Sequence, residues 1–515
     1  MKKSLSLLLT VLVAAATSAQ ITVSKSVLTY PKTSYKIVAD QEITIQNDFN
    51  TNVDVILRSH NADFYVDDST VQVAAKSSLK VTVHFKPTHN ITYNSELVVV
   101  TDSRSGSFPI DLKGVGEYSA YYTSTFDLYE EDLKGELKSV LAKGYKNLGY
   151  SGARDAMYGS IDNTGGKVEC VYTGRVATFN TRSGANSNSF NCEHTWPQSL
   201  FNQNEPERAD IHHLFPTDVN ANGRRSNYRF GVVSNATWTE GGSKLGGGVF
   251  EPRDAQKGDC ARSMLYFAVR YQNYASFLTN QESLLRSWAT TYAPSQQSID
   301  RNNAIFNYQK NRNPFVDYPE FLERINKIST TSTAPKVTQI TPSVDTINNW
   351  NVASTATYIY PLVLTNTGNQ TVLFTNFANS TTDISFPKTA FEIAPNESHV
   401  LKVSITPTAN QINDVIELVA SGITLKVPVQ VNGTASIGET SKSNLKIAVN
   451  GDKIQVRSGA GYAITLINLK GQEVYFNEIQ SNFTEIETSG LASGVYFVQA
   501  IRENQLPQVQ KVLIP

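Results

Sequence analysis

Two segments near the middle of the chain bring together acidic, imidazole, amide and guanidinium side chains. The first, 191–199, contains Glu193 followed directly by His194, and the second, 210–227, contains two histidines, several asparagines and two adjacent arginines. Three of the seven histidines of the chain lie in this window. A carboxylate that binds a hard metal ion, an imidazole that takes a proton from water and cations that bind phosphate are the groups needed to hydrolyse a phosphodiester bond.

A predicted strand followed by a predicted helix would position these groups. Glu193 and His194 lie at the predicted end of the strand, where a turn of the chain would let both side chains reach one site. The carboxylate suits Mg²⁺ or Ca²⁺, and a neutral imidazole can act as a general base. Thr217 is the predicted helix cap, and Asp218 favours the helix N-terminus. Asn222 lies about one turn beyond Asp218, so its amide oxygen would complete a metal site beside Glu193.

Each of these groups also has a purely structural interpretation. The acid–imidazole pair would then be a surface pair at a strand end, and the two adjacent arginines a solvated helix face. Asn222 would be a turn or cap amide, and Asn220 is the nearest competing metal ligand. His212 and His213 would satisfy backbone groups. Residue types alone leave both interpretations open.

Four motifs, in this order, resemble the endonuclease I family of secreted, non-specific nucleases. They are Asn-x-Glu-His-Thr-Trp-Pro-Gln-Ser at 191–199, Asp-Ile-His-His-Leu-Phe-Pro-Thr-Asp at 210–218, Asn-x-Arg-Arg-Ser-Asn at 222–227 and Lys-Gly-Asp-Cys-Ala-Arg at 257–262. The resemblance covers residues 118–330, which is less than half of the chain. It implies an α+β domain of the ββα-metal nuclease type, in which a strand carries the base and a following helix carries an asparagine ligand.

The resemblance also implies a mechanism. His194 would be the general base that activates water, and Glu193 and Asn222 would hold one Mg²⁺, with Mn²⁺ or Ca²⁺ as alternatives. The metal would polarise the phosphate and stabilise the departing 3′ oxygen, so that the products carry 5′ phosphates.

An arginine should contact the scissile phosphate, and the resemblance does not identify which one. Arg208 is the first candidate, and the alternatives are Arg224, Arg225 and Arg262. His213 would buttress the site through its second ring nitrogen or would contact phosphate.

Length and composition predict a multidomain globular protein without a general affinity for polyanions. A chain of 515 residues is too long for one core and predicts three or four domains. The net charge of −1 and the pI of about 6.7 exclude a global basic field. Any nucleic-acid contact must therefore rely on a local basic patch or on metal.

The N-terminus has the three parts of a secretory signal peptide, over residues 1–19. Lys2 and Lys3 precede the short apolar stretch Leu5–Ala16, and small residues at 17–19 predict cleavage before Gln20. The apolar stretch is too short to act as a stable membrane anchor, and no later segment is long and apolar enough to span a membrane. We therefore expect a soluble protein outside the cytoplasm.

Strand patterns flank the helical centre of the chain. Residues 20–117 and 331–433 alternate in hydrophobicity, and Leu401–Pro407 echoes Leu79–Pro87. Both segments resemble immunoglobulin-like β-sandwiches, and we predict two related modules. Between them, 118–330 has helix-type periodicity that is clearest over Tyr129–Leu141 and Cys260–Leu278.

The end of the chain predicts a further β unit with a role in export. Residues 434–443 have linker composition, and 444–515 contain a predicted small β-sandwich. The turn at 468–471, the strand Gly494–Val498 and the terminal Lys511–Ile514 resemble the C-terminal sorting domain of type IX secretion cargo. The resemblance implies export through the periplasm and the outer membrane by that machinery, then release or surface attachment. The alternative is one more sandwich module.

The three cysteines, Cys170, Cys192 and Cys260, lie in the same central region. An exported protein permits one disulfide among them and leaves one thiol, and the sequence does not choose the pair. No zinc-type spacing of cysteine and histidine supports a structural zinc site.

These observations together predict a secreted or cell-surface, metal-dependent endonuclease. Its substrate would be DNA, with RNA left open as a second substrate, and its sequence preference would be small because the site binds backbone and metal. The alternatives are a phosphoesterase for small nucleotides and a surface adhesin that has lost catalysis. The joint presence of Glu193, His194 and Asn222 argues against the adhesin, since a binding module does not need the set. Oligomeric state is not predicted.

Overall fold

The structure is a computed structural model. It describes residues 21–101, 106–353, 357–406, 411–434, 445–450, 453–457, 460–468, 473–502 and 508–514. The predicted signal peptide, Pro407, nearly all of the predicted linker and residues 469–471 of the C-terminal turn lie outside the described residues. The chain divides into two compact units, Met1–Gly433 and Thr434–Pro515. Within the ranges described, no helix is long and apolar enough to cross a membrane.

Nine strands build the first β-module, which covers residues 21–117. The strands are β1 (Ile21–Val23), β2 (Val27–Ser34), β3 (Ala39–Asn47), β4 (Val53–Ser59), β5 (Phe64–Tyr65), β6 (Thr70–Val73), β7 (Ser78–Phe85), β8 (Thr92–Thr101) and β9 (Ser107–Glu117). They form two sheets, in the orders β1-β3-β7-β5 and β2-β9-β8-β4-β6. One hydrophobic core takes residues from both sheets, because alternate side chains of each strand point inward.

The middle region, residues 118–330, contains all eight described α-helices. They are α1 (Glu130–Ala142), α2 (Gly149–Ala156), α3 (Arg182–Ser187), α4 (Val219–Arg225), α5 (Asp254–Arg270), α6 (Glu282–Thr291), α7 (Gln296–Gln309) and α8 (Pro314–Asp317). Short strands lie between them: β10 (Asn163–Thr164), β11 (Lys167–Glu169), β12 (Val176–Thr178), β13 (Phe190–His194), β14 (Leu214–Asp218), β15 (Arg229–Phe230), β16 (Trp238–Glu240), β17 (Ser243–Gly246) and β18 (Val249–Glu251).

Helix α5 is the centre of this region. Every residue from Cys260 to Arg270 is buried, and the other helices and the strand pair β13–β14 contribute to the same core. The predicted helix over Tyr129–Leu141 corresponds to α1. The predicted helix over Cys260–Leu278 begins earlier, at Asp254, and its last turns form a separate 3₁₀ helix, Gln272–Leu278.

A second β-module, Ile340–Gly433, repeats the topology of the first. Its strands are β19 (Ile340–Pro342), β20 (Ile347–Ala353), β21 (Tyr358–Asn366), β22 (Val372–Ala378), β23 (Ile384–Ser385), β24 (Phe391–Ile393), β25 (Ser398–Ile405), β26 (Gln411–Ala420) and β27 (Ile423–Thr434). The sheet orders β19-β21-β25-β23 and β20-β27-β26-β22-β24 match those of the first β-module strand for strand. The two echoing sequence segments fall on the equivalent strands β7 and β25.

The two β-modules pack directly on each other. The first and second β-modules meet through the apolar cluster of Val98, Val100 and Val363. Thr365 Oγ1 also donates to the buried carboxylate of Glu96 at 2.7 Å.

Stacked aromatic rings join the first β-module to the middle region. The rings of Tyr118 and Tyr318 stack with centroids 3.7 Å apart, and Tyr35 of the first β-module packs edge-on against both. Arg324 Nη1 donates to Asn90 Oδ1 at 2.5 Å across the same boundary. Residues of the first β-module therefore stabilise the fold of the middle region.

The C-terminal unit is a separate small β-structure. Its described strands are β28 (Lys446–Asn450), β29 (Lys453–Arg457), β30 (Tyr462–Asn468), β31 (Glu473–Ile479), β32 (Phe483–Glu487), β33 (Gly494–Ile501) and β34 (Gln508–Ile514). They form the sheets β28-β29-β32 and β31-β30-β33-β34 around one core.

Candidate active site

An antiparallel strand pair and the helix that follows it carry the two central motifs. Strand β13 pairs with β14, which places Glu193 opposite Phe215. Helix α4 begins directly after β14. Asp218 is its cap and accepts hydrogen bonds from the amides of Asn220 (2.8 Å) and Ala221 (3.4 Å). The prediction that Thr217 caps this helix is wrong, because Thr217 is buried within β14.

Glu193 is a buried carboxylate with one oxygen committed to protein partners. Its Oε1 accepts from the hydroxyl of Tyr172 at 2.6 Å and lies 3.2 Å from Arg225 Nε. Burial raises the pKa of Glu193 to about 7, although Arg225 and the Tyr172 hydrogen bond lower it. Within the described residues, Oε2 accepts no hydrogen bond and remains free to bind a cation.

Asn222 is oriented by its amide nitrogen. Nδ2 donates to Asn191 Oδ1 at 2.9 Å and to the carbonyl oxygen of Cys192 at 3.4 Å, which anchors α4 to β13. The amide oxygen, Oδ1, has no hydrogen bond among the described residues. Because both nitrogen bonds are satisfied by β13, this oxygen is the atom left for a ligand.

These two oxygens fit a hard cation that keeps much of its water. No cluster of three or more histidine, cysteine or acidic residues suited to a metal occurs in the described part of the chain. Mg²⁺ typically takes one or two protein oxygens and completes its shell with water and substrate phosphate. Glu193 Oε2 and Asn222 Oδ1 match that requirement in number and in type, and they do not match zinc.

His194 is held as a neutral imidazole with a defined tautomer. Its Nε2 lies 3.2 Å from the carbonyl oxygen of Arg208, so this nitrogen carries the proton and Nδ1 carries the lone pair. Nδ1 makes no hydrogen bond among the described residues. Burial, followed by electrostatic interactions with His213, Arg208 and Arg154, holds the pKa of His194 well below its usual value.

Glu193 and His194 do not share partners. Neighbouring residues of a strand point to opposite faces, and both residues lie within β13 rather than in a turn. The carboxylate contacts Tyr172 and Arg225, whereas the imidazole lies between the rings of Tyr150 and His213, with centroids 5.4 and 5.3 Å away. As expected, β13 ends at His194 and the chain bends at Thr195 and Trp196, but this bend does not bring the two side chains to the same partners.

The four candidate arginines separate into two pairs by exposure. Arg208 is half-buried, Arg224 is exposed, and both are accessible to substrate. Arg225 is fully buried and donates to the carbonyl oxygen of Thr195 at 2.5 Å. Arg262 is also buried and donates to the Tyr292 carbonyl at 2.6 Å and to Asp259 at 2.7 Å. Burial therefore argues against Arg225 and Arg262 as phosphate ligands.

Both adjacent histidines are buried with backbone partners. His213 Nε2 lies 2.6 Å from the Glu207 carbonyl oxygen, and its ring packs on Phe267 with centroids 4.8 Å apart. Burial lowers the pKa of His213 to about 4. This position suits a buttress for His194 and does not suit contact with phosphate. His212 similarly meets the Asn311 carbonyl oxygen at 3.2 Å.

The disulfide that the sequence permits does not form in the structure. Cys170, Cys192 and Cys260 are all free thiols buried in the core. Cys170 Sγ instead accepts from the Asp218 amide at 3.1 Å, beside the start of α4. Burial raises the pKa of Cys192 to about 12, so this thiol is unreactive.

Sequence reasoning missed three residues around the site. Tyr172 and Tyr150 contact Glu193 and His194 respectively, and Arg154 lies beside Tyr150. They come from segments outside the four motifs, and no regular spacing connects them to the motifs.

The similarity to known nucleases lies in the middle region, which contains the candidate site. The Endonuclease I family model matches residues 129–320. The extracellular ribonuclease of Bacillus subtilis (strain 168) is 32% identical over 234 residues, which span 40% of this chain and 81% of that protein. The chain belongs to the endonuclease I family. This endonuclease I homologue is therefore a nuclease, and members of its family are generally metal-dependent.

Other relatives of this endonuclease I homologue carry both ribonuclease and deoxyribonuclease names. The extracellular ribonuclease of Bacillus amyloliquefaciens is 30% identical over 255 residues, or 45% of this chain and 88% of that protein. The periplasmic deoxyribonuclease of Aeromonas hydrophila is 29% identical over 119 residues, or 21% of this chain and 47% of that protein. A secretion system C-terminal sorting domain matches residues 441–515, and the protein is secreted or displayed at the cell surface.

Proposed function

We propose that this protein is an exported, metal-dependent endonuclease that hydrolyses phosphodiester bonds of DNA, with RNA as a second substrate. One observation carries the proposal: His194 presents an unprotonated Nδ1 beside unpaired arginines, while its Nε2 is fixed on a carbonyl oxygen. A nuclease needs a base that is neutral near pH 7 and held in one tautomer. The related proteins include both ribonucleases and deoxyribonucleases by name, which supports both substrates.

His194 would take a proton from the attacking water at Nδ1. The Arg208 carbonyl keeps the proton of the neutral ring on Nε2, so that the lone pair stays on Nδ1. The positive charges of Arg208 and Arg154 disfavour the imidazolium, so the captured proton is readily passed to solvent. His213 supports the ring from the protein side.

Arg208 would bind the scissile phosphate through its guanidinium, while its carbonyl orients the base. One residue would thereby fix the distance between the base and the reacting group. Arg224, which is exposed on α4, would contact the backbone outside the reacting phosphate. These contacts involve the sugar–phosphate backbone and not base edges, which accounts for low sequence specificity.

Glu193 and Asn222 would hold Mg²⁺, or alternatively Mn²⁺ or Ca²⁺. When bound, the cation would polarise the phosphate and stabilise the departing 3′ oxygen. The buried ion pair with Arg225 and the hydrogen bond from Tyr172 keep Oε1 occupied, so Oε2 would face the ligand. We assign the strand pair β13–β14 and helix α4 to a ββα-metal arrangement on this basis.

We further propose the organisation of the remaining chain. Residues 20–117 and 331–433 would be immunoglobulin-like sandwiches on either side of the nuclease domain at 118–330. A linker at 434–443 would join them to the sorting domain at 444–515, which would be recognised by the type IX secretion machinery. The shared strand order of the two β-modules supports their common origin.

Plasmid cleavage by the mature chain, residues 20–515, tests the proposal. Purified protein would be assayed with Mg²⁺, with EDTA and as His194→Ala, and His399→Ala in the second β-module serves as a matched control. We expect metal-dependent nicking that falls by about 10²–10⁴-fold in His194→Ala and is unchanged in His399→Ala. A folded wild-type protein that cuts neither DNA nor RNA with Mg²⁺, Mn²⁺ or Ca²⁺ would refute it and favour a binding protein.

A further inference from the structure

Two guanidinium groups share one tyrosine ring beside the candidate base. The Cζ atoms of Arg154, on α2, and Arg208 lie over the Tyr150 ring, 4.1 and 4.3 Å from its centroid. The same ring is 5.4 Å from the His194 ring, centroid to centroid. Tyr150 therefore holds both cations at the edge of the active site.

Neither cation forms an ion pair within the described residues, although the Glu205 carboxylate accepts a hydrogen bond from the Tyr150 amide at 3.1 Å. No carboxylate forms an ion pair with Arg154 or Arg208, and the buried Nε atom of each lacks a hydrogen-bond partner. Most other arginines of the middle region have an acidic partner at close range, as Arg182 has in Asp155 at 2.7 Å. Two adjacent, partly exposed positive charges with unpaired donors favour the binding of an anion beside them.

The two arginines differ in their connection to the base. Arg208 is connected directly to His194 through its own carbonyl oxygen, and the proposed function places its guanidinium on the reacting phosphate. Arg154 comes from a different element and has no direct bond to His194. Successive phosphates of one nucleic-acid strand are separated by several ångströms, so two cations that lie over the same ring are close enough to contact neighbouring phosphates.

We propose that Arg154 binds the phosphate adjacent to the scissile phosphate on the same strand, so that efficient cleavage requires a polynucleotide. This inference rests on the function proposed above, in which Arg208 binds the scissile phosphate. It predicts that a substrate with a single phosphodiester gains nothing from Arg154. It also separates this enzyme from a phosphoesterase that acts on small nucleotides.

The test compares two substrates in three variants of the mature chain. The substrates are a single-stranded dodecanucleotide and bis(p-nitrophenyl) phosphate, which has only one diester. Arg154→Met should lower kcat/KM for the oligonucleotide by about 10- to 100-fold and leave the small diester within about twofold. Arg208→Met should lower both. Arg182→Met, which removes a nearby but paired arginine, should change neither.

A binding measurement without catalysis provides the second readout. In the His194→Ala background, Arg154→Met should reduce the slope of log affinity against log salt for the oligonucleotide by about 0.7, the contribution of one phosphate contact on a single strand. Arg154→Lys retains the cation and should recover most of this slope, which separates loss of charge from a folding defect.

The outcomes distinguish the two proposals. If the wild type cleaves neither substrate, the proposed function is refuted, while the salt slope still decides whether Arg154 contacts phosphate. If the wild type is active and Arg154→Met lowers kcat/KM equally for both substrates, Arg154 acts at the reacting phosphate and the inference is overturned. An unchanged oligonucleotide rate together with an unchanged slope also overturns it.

Discussion

Replacing Arg225 with methionine tests whether this arginine stabilises the ionised form of the Glu193 carboxylate. Arg225 is fully buried, pairs with Glu193 and donates to the carbonyl oxygens of Thr195 and Ser226. In Arg225→Met, Glu193 would retain only the hydrogen bond from Tyr172. Breaking a buried ion pair by removing one partner costs about 3–5 kcal/mol, since it leaves an uncompensated buried charge.

The destabilisation caused by Arg225→Met depends on pH, because it depends on whether the Glu193 carboxyl group is ionised. Burial raises the pKa of Glu193 from 4.5 to about 7, so the folded protein binds the proton more tightly than the unfolded chain. The resulting stability is complete below pH 4.5 and is lost as the pH rises to 7. Without Arg225 the pKa of Glu193 rises further, and the variant continues to lose about 1.4 kcal/mol per pH unit above pH 7, where the wild type no longer does.

Thermal unfolding in EDTA between pH 5 and pH 9 measures the effect. Three of the four tryptophans lie in the middle region, so fluorescence reports mainly on its unfolding. In Arg225→Met, the two lost hydrogen bonds to carbonyl oxygens lower the free energy of unfolding by the same amount at every pH. The loss of the positive charge beside Glu193 lowers it by an amount that grows with pH. Arg224→Met removes the exposed neighbour on α4 and should have little effect. A gap between Arg225→Met and wild type that stays constant from pH 5 to pH 9 would refute this reasoning.

Three further predictions concern the metal site and the thiols. Asn222→Ala should raise the Mg²⁺ concentration for half-maximal cleavage by about 10-fold or more. Asn220→Ala is the control. A Mg²⁺ concentration that is unchanged in Asn222→Ala would show that Asn222 is not a metal ligand. Because protons compete with metal for Glu193, whose pKa is about 7, the acidic limb of the pH–activity profile should move to lower pH when Mg²⁺ is raised. A limb that stays in place at two Mg²⁺ concentrations would argue against Glu193 as a ligand. All three thiols should react with iodoacetamide only after denaturation, and mass spectrometry that finds an alkylated cysteine in the folded protein would contradict their burial.

The sequence predicts the strand and the helix of the site, because the central motifs lie within these two elements. The central motifs predicted a strand and a helix with Glu193, His194 and Asn222 on them, and the structure places these residues on β13 and α4. The sequence pattern places the helix cap one residue too early, because threonine and aspartate are both favourable caps. Pairing of Thr217 with Asn191 extends β14 and moves the helix start to the next residue.

The remaining parts of the site depend on packing that leaves no local pattern. Tyr172 reaches Glu193 and Arg154 reaches Tyr150 from other segments, and their positions depend on the arrangement of the whole middle region. The cysteines illustrate the same limit. Their number and the exported state permit a disulfide, but each thiol is enclosed by apolar side chains or backbone amides of the core.

Packing between the two β-modules has a consequence for the lifetime of an extracellular enzyme. The modules precede and follow the middle region in sequence, yet residues 236 and 269 positions apart meet across their boundary, as in the pairs Ser107–Ser343 and Glu96–Thr365. A protease that cuts once in the exposed loop 234–237 would divide the chain but not the assembly. The two fragments would remain joined by these contacts and by the shared core of the middle region. Such a nicked molecule would keep the residues of the proposed site in place, and the enzyme would then resist inactivation by proteolysis without resisting cleavage.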